Sequence, residues 1–228
     1  MRLSVIIPAL NEESSLPGTL RALRDQRADE VIVVDGGSGD ATVELAEPLC
    51  DRVVVSSPGR ATQMNLGAEL ARASGDHALL FLHADCVPEP GALSEAKEIL
   101  RHDTVAAGCF RMRVRAEGAL FRSIDGCAAA RTRLLGMIYG DQGMFLRRRT
   151  FDAVGGFPQL RLMEDLFISR RLCGVGRIAM ARKRLFVSPR RWRRVGVVRQ
   201  TLGNWLLTAM VAGGVHPDRL QGYYPAVR

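Results

Sequence analysis

The five cysteines of this chain, at positions 50, 86, 109, 127 and 173, lie 36, 23, 18 and 46 residues apart, so there is no CxxC pair and no knuckle of metal ligands. That spacing excludes a zinc ribbon and fits a reduced, cytoplasmic protein. No secretory leader is expected. The first apolar run, Leu3 to Leu10, is interrupted by Pro8 and passes directly into Asn11, Glu12 and Glu13. Lysine is scarce, since 30 of the 32 basic residues are arginine. Acidic residues are absent between Leu166 and Pro217, where eleven Arg and Lys occur, so this segment carries +11 and the rest of the chain −3. Two explanations stand side by side: an arginine-rich genome composition, or an anionic neighbour such as a diphosphate, a nucleic acid or an acidic membrane surface.

What is present describes a folded unit of enzyme size. With 47% hydrophobic and 25% charged residues over 228 positions, the chain suits one α/β domain. Leu3 to Pro8, Glu30 to Asp35, Arg52 to Val55 and Ala78 to Leu82 read as strands. Helical spacing follows each of them, over Asn11–Leu23, residues 41–48, Ala61–Ala73 and Pro90–Leu100. That alternation builds a mostly parallel, Rossmann-like sheet with helices on both faces. Beyond Leu100 the order loosens: Thr104 to Val114 is strand-like, Leu120 to Leu135 helical, and Gly143 to Leu146 a short strand. Glu164 to Leu172 is helical again, a basic stretch follows, and Val195 to Ala212 has one apolar side. No internal repeat or linker divides the chain.

In open parallel sheets ligands bind outside the carboxyl ends of the strands. Those ends carry Pro8-Ala9-Leu10-Asn11-Glu12, Asp35-Gly36-Gly37-Ser38-Gly39-Asp40 and His83-Ala84-Asp85. Each Asp or Asn there can serve as a helix cap or turn residue, but three such groups on one rim exceed what caps require. A carboxylate at this place suits a hard divalent cation, Mg²⁺ or Mn²⁺, that offsets the charge of a diphosphate, and Asp85 is the natural ligand. His83 lies on the same face of the extended segment, with metal ligation, phosphate contact and packing all open to it. A sugar nucleotidyltransferase would need a Gly- and Arg-rich loop directly after the first strand, which residues 8–18 do not provide. A dinucleotide-dependent oxidoreductase would need GxGxxG at the first helix. A nucleic-acid binder is suggested by the basic residues from Arg182 to Arg199, yet only Phe186 and Trp192 interleave them, so no nucleic-acid partner is expected.

Several motifs in order resemble the family 2 glycosyltransferases of the GT-A fold. They are Ser4 to Glu13, Val34 to Asp40, His83-Ala84-Asp85, Gly140 to Arg148, Val154 to Pro158 and Met163-Glu164-Asp165. The run Gly59 to Ala68 is similar to a bacterial subgroup found beside radical-SAM and selenium-related genes. The resemblance implies a metal-dependent, inverting transfer of a sugar, by default from a UDP-sugar, to an acceptor of unidentified class, lipids included. It divides the chain into a nucleotide-sugar half (1–115), an acceptor-side half (116–192) and a carboxyl-terminal helical extension (193–228). Carried onto this sequence, it implies nucleotide contacts from Pro8, Ala9, Asn11, Glu12, Asp35, Gly36, Ser38, Arg60, Asn65 and Ala84. It puts Asp85 on the metal and makes Asp165, with Glu164 beside it, the general base. His83, Asp141, Gln142, Arg191 and Trp192 would line the cleft. Two positions depart from the family pattern: His83 replaces the first Asp of an Asp-x-Asp motif, and Ser188 stands where a Gln-x-x-Arg-Trp element has its Gln. The basic carboxyl-terminal helix is also a candidate for peripheral membrane contact, too short to span a bilayer.

Overall fold

The computed structural model describes residues 1–72 and 76–223. Its centre is an eight-stranded sheet: β1 (Arg2–Ala9), β2 (Glu30–Asp35), β3 (Arg52–Val55), β4 (His77–Phe81), β5 (Cys86–Pro88), β6 (Val105–Val114), β7 (Met144–Arg147) and β8 (Arg177–Val187). They are ordered β3-β2-β1-β4-β7-β6-β8-β5. The first four in that order are mutually parallel, β7 runs antiparallel to both neighbours, β8 is parallel to β6, and β5 closes the edge antiparallel. The mostly parallel α/β sheet expected from the sequence is present.

Period two along β1 fills both sides of the sheet. Leu3, Val5 and Ile7 enter one core with α1 (Leu16–Asp25) and α4 (Ala92–Leu100), while Ile6 enters the other. That second core contains side chains of α3 (Arg60–Leu70), α6 (Arg148–Ala153) and α7 (Glu164–Cys173). Two further elements, α2 (Thr42–Ala46) and α5 (Ala119–Leu135), flank β2 and β6. A third, smaller cluster joins Leu162 and Leu166 at the start of α7 to Leu207 and Val211 of α9 (Val197–Ala212).

Three expectations about elements change. The first helix starts at Leu16 rather than Asn11, because Asn11 is left-handed (φ 53°) and Pro17 favours the first helical turn. The basic stretch after Leu172 begins as β8, a strand that puts Ala179, Ala181, Leu185 and Val187 into the core and turns Arg177, Arg182 and Lys183 outward or partly outward. The segment expected from Val195 to Ala212 is the helix α9, which starts at Val197. A short helix not expected from the sequence, α8 (Arg190–Val195), precedes it and is separated from it by Gly196 at φ 93°. Ala73, the expected end of α3, and the last residues of the carboxyl-terminal extension lie outside the described residues.

Candidate active site

The ends of β1 and β2 form the first wall. Asp35 is 1% exposed, and its carboxylate accepts from the backbone N–H groups of Gly37 and Ser38, both at 2.8 Å, and from the Ser38 hydroxyl. Asn11 then laces the two loops: its Oδ1 accepts from Gly39 N at 2.9 Å, while its own N–H donates to Ser38 Oγ at 2.8 Å. Beneath them the buried Gln63 donates from Nε2 to the carbonyls of both Ala9 (2.8 Å) and Val34 (2.7 Å). The rim is therefore built with its amides already ordered. Pro8, Ala9, Asp35 and Gly36 are buried in this framework, and Asn11 and Ser38 reach its surface.

His83, Ala84 and Asp85 turn the chain from β4 into β5. Ala84 is buried, and its carbonyl accepts from Thr19 Oγ1 at 2.7 Å, which anchors the turn to α1. Ligand atoms of His83, Asp85 and Cys86 lie within 4.8 Å of one another. Burial, followed by the Arg60 guanidinium, brings the His83 imidazole down to about 4, against the opposing carboxylates Asp85 and Asp165. His83 is therefore neutral at pH 7 and has a lone pair to offer. Burial pushes the Cys86 thiol well above its ordinary value, so it remains protonated and is a poor ligand.

From the other side come Asp141, on the 3₁₀ turn Gly140–Gln142, and Glu164 and Asp165, at the start of α7. Asp165 Oδ2 accepts from Gly140 N and Oδ1 from Leu166 N, both at 2.7 Å, so its carboxylate is fixed in direction. Asp141 Oδ1 is buried without a hydrogen-bond partner. Its pKa is pushed up to about 6, first by burial, with Asp165 and Asp85 adding to the effect and Arg131 opposing it. Glu164 is 2% exposed and pairs with Arg60 Nε at 2.8 Å. Burial raises its pKa in spite of that arginine.

Arg190, at the head of α8, is the member of the site that local sequence reasoning missed. Its guanidinium donates to both carboxylate oxygens of Glu12, at 2.8 and 3.1 Å, and lies 3.7 Å from Asp85 Oδ2. The only signal was its position beside the flagged Arg191. Arg191 itself acts electrostatically on His83 and so belongs to the same cluster. Three expected cleft or nucleotide residues have other tasks. Gln142 is fully buried, with its amide bonded to Arg131, Thr132 and Tyr139, so it supports the turn from behind. Asn65 holds the Gly-Gly-Phe-Pro turn through both the N–H (3.0 Å) and the carbonyl (2.9 Å) of Phe157. Trp192 packs into the main core at 8% exposure, its indole N–H buried without a partner.

Against known proteins, the model of the family described as glycosyl transferase family 2 matches residues 4–158. A PGL/p-HBAD biosynthesis glycosyltransferase of Mycobacterium tuberculosis is 36% identical over 91 residues, covering 36% of this chain and 34% of that protein. An undecaprenyl-phosphate 4-deoxy-4-formamido-L-arabinose transferase of Pseudomonas fluorescens is 40% identical over 83 residues, 34% of this chain and 22% of that one. This chain thus spans about a third or less of the curated relatives it matches. Among solved structures, S. aureus TarS 1–349 in complex with UDP-GlcNAc aligns with a TM-score of 0.64 at 20% identity, over 82% of this chain and 58% of that one. GalNAc-T7 with UDP, GalNAc and Mn²⁺ aligns equally well, at 0.64 and 17% identity, over 82% and 44%. These likenesses establish the GT-A fold.

Proposed function

The chain belongs to glycosyl transferase family 2, and from that premise we propose that it transfers a sugar with inversion from a nucleotide-sugar donor, by default a UDP-sugar, to an acceptor nucleophile. The observation that carries this reading is the convergence of Asp85, His83, Asp141 and Asp165 at the carboxyl ends of the parallel strands, beside the ordered loops of β1 and β2. The donor set fits a divalent cation, since an accessible Asp85 carboxylate and a neutral His83 stand together and Asp141 offers a buried, unpartnered oxygen. Asp85, with His83 beside it, would hold Mg²⁺ or Mn²⁺, which when bound offsets the charge growing on the departing diphosphate. The run Gly59 to Ala68 further supports the bacterial subgroup found beside radical-SAM and selenium-related genes.

In this reading Asp165 takes the proton from the acceptor as it attacks the anomeric carbon. Its two backbone hydrogen bonds fix the carboxylate and leave lone pairs on both oxygens for that proton. Glu164 keeps Arg60 in place at the nucleotide side. The decisive experiment is Asp165→Asn with saturating donor. Asparagine keeps one oxygen to accept from one of the two backbone N–H groups, but its amide nitrogen cannot accept from the other, and no carboxylate is left to take the proton. Turnover should therefore fall by about 10²–10⁴-fold while donor binding stays nearly intact. Near-normal turnover would remove Asp165 from this role and move it to Glu164 or Asp141, both of which have a pKa raised by burial.

A further inference from the structure

The carboxyl-terminal helices leave a surface that sugar transfer does not explain. α9 turns Leu207 and Val211 inward, while Val198, Leu202, Trp205 and Leu206 are 58–62% exposed. Their spacing of four, three and one residues puts them on one helical face. Contiguous large apolar side chains in water mark an interaction surface. Next to this face, α8 carries the exposed Arg193 and leads into α9 through the Gly196 joint. Beside α8, a groove of about 710 Å³ opens at the ends of β6 and β8. Arg113, Arg115 and Arg193 line it with Phe121 and Phe186, against the single acid Glu117. The Arg115 guanidinium lies 5.8 Å from the centre of the Phe186 ring.

We propose that this face docks on an anionic bilayer, with the apolar stripe of α9 lying in the membrane interface and the arginine groove taking a lipid phosphate headgroup. Charge decides between occupants. A second copy would bring the exposed Arg193, Arg194 and Arg199 of α8 and α9 against the same arginines of its partner, whereas an anionic leaflet complements both the arginines and the stripe. Trp205 has the amphipathic ring that suits the headgroup level. Among the described residues no helix is long and apolar enough to cross a membrane, so the docking is peripheral. α8 couples this face to the active site, because Arg190, three residues before Arg193, bonds Glu12. The proposal stands independently of the sugar-transfer reading.

Co-sedimentation of the full chain with phosphatidylglycerol vesicles at low salt, against pure phosphatidylcholine, tests it. Binding should favour the anionic vesicles and shift Trp205 emission to the blue, which is readable because the chain has only one other tryptophan, the buried Trp192. Leu202→Glu with Leu206→Glu should lower partitioning on the order of tenfold, and Arg113→Glu with Arg193→Glu by a similar factor. An unchanged melting temperature in each variant confirms that the fold is kept. Failure of the wild type to sediment with phosphatidylglycerol overturns the proposal. So does wild-type binding by the Leu202/Leu206 variant, or a dimer in sedimentation velocity that this variant abolishes. A gel shift with nucleic acid in the absence of vesicle binding overturns it as well. Wild-type binding by the Arg113/Arg193 variant overturns the groove's part in it.

Discussion

Asp141 holds its charge against its surroundings, and that makes it a stability probe. In metal-free protein its native pKa is about 6, above the 3.8 of an unperturbed aspartate. Below 3.8 both folded and unfolded chains are protonated there, and the residue is neutral to stability. As pH rises from 3.8 to 6 the unfolded chain releases the proton first, so stability falls, and above 6 the full penalty persists. Asp141→Asn should therefore be more stable than the wild type at pH 7, by up to about 3 kcal/mol, with the difference fading near pH 3.5. Urea denaturation in EDTA at the two pH values reads this directly. A second residue-scale test concerns Gly140, whose added Cβ would overlap the His83 ring at Nε2. Because Gly140 N also positions Asp165, Gly140→Ala should displace two site groups at once. Turnover should drop by roughly 10²-fold while the melting temperature changes little. Equal activity in the variant would show that His83 has no fixed place in the reaction.

At the scale of elements, the carboxyl-terminal extension does more than trail from the domain. Leu207 and Val211 of α9 pack against Leu162 and Leu166, which flank the Glu164-Asp165 pair, and Tyr139 Oη meets Thr208 Oγ1 at 2.8 Å. α9 thereby braces both the start of α7 and the turn before Asp141. Leu207→Ala should cost about 2–4 kcal/mol through the cavity it leaves, and kcat should fall with it because Asp165 loses its support. Denaturant midpoint and turnover, measured together, separate this from a purely local loss. Elements also show where sequence reading succeeds and fails. β1 and β2 are legible because uninterrupted apolar runs end at polar turns. β8 is not, because its arginines and lysine hide a period-two pattern whose inward positions hold two alanines and only two larger apolar residues.

For the molecule as a whole, the site is assembled from loops that meet only in the folded state, so ligand binding should stabilise the fold by mass action. At a free UDP concentration 100 times its Kd in Mn²⁺, the gain is about 2.7 kcal/mol. Thermal melts with UDP should rise in Mn²⁺, rise less in EDTA, and lose that metal dependence in Asp85→Asn. A shift that is the same with and without metal would exclude Asp85 as a ligand.

The sequence by itself determined the βα alternation, the rim at the strand ends, and Asp85 and His83 as residues of that rim, because each depends on local periodicity or on position just after a strand. Asp165, by contrast, was singled out by the resemblance of Met163-Glu164-Asp165 to a family motif. Tertiary structure alone decided that Arg190 reaches Glu12 across 178 residues of chain, and that Gln142 lies behind the cleft instead of in it. It also decided which side of α9 is covered. The physical reason is common to all three: spacing along a chain fixes which side chains share a face, but only packing against distant elements fixes what that face meets.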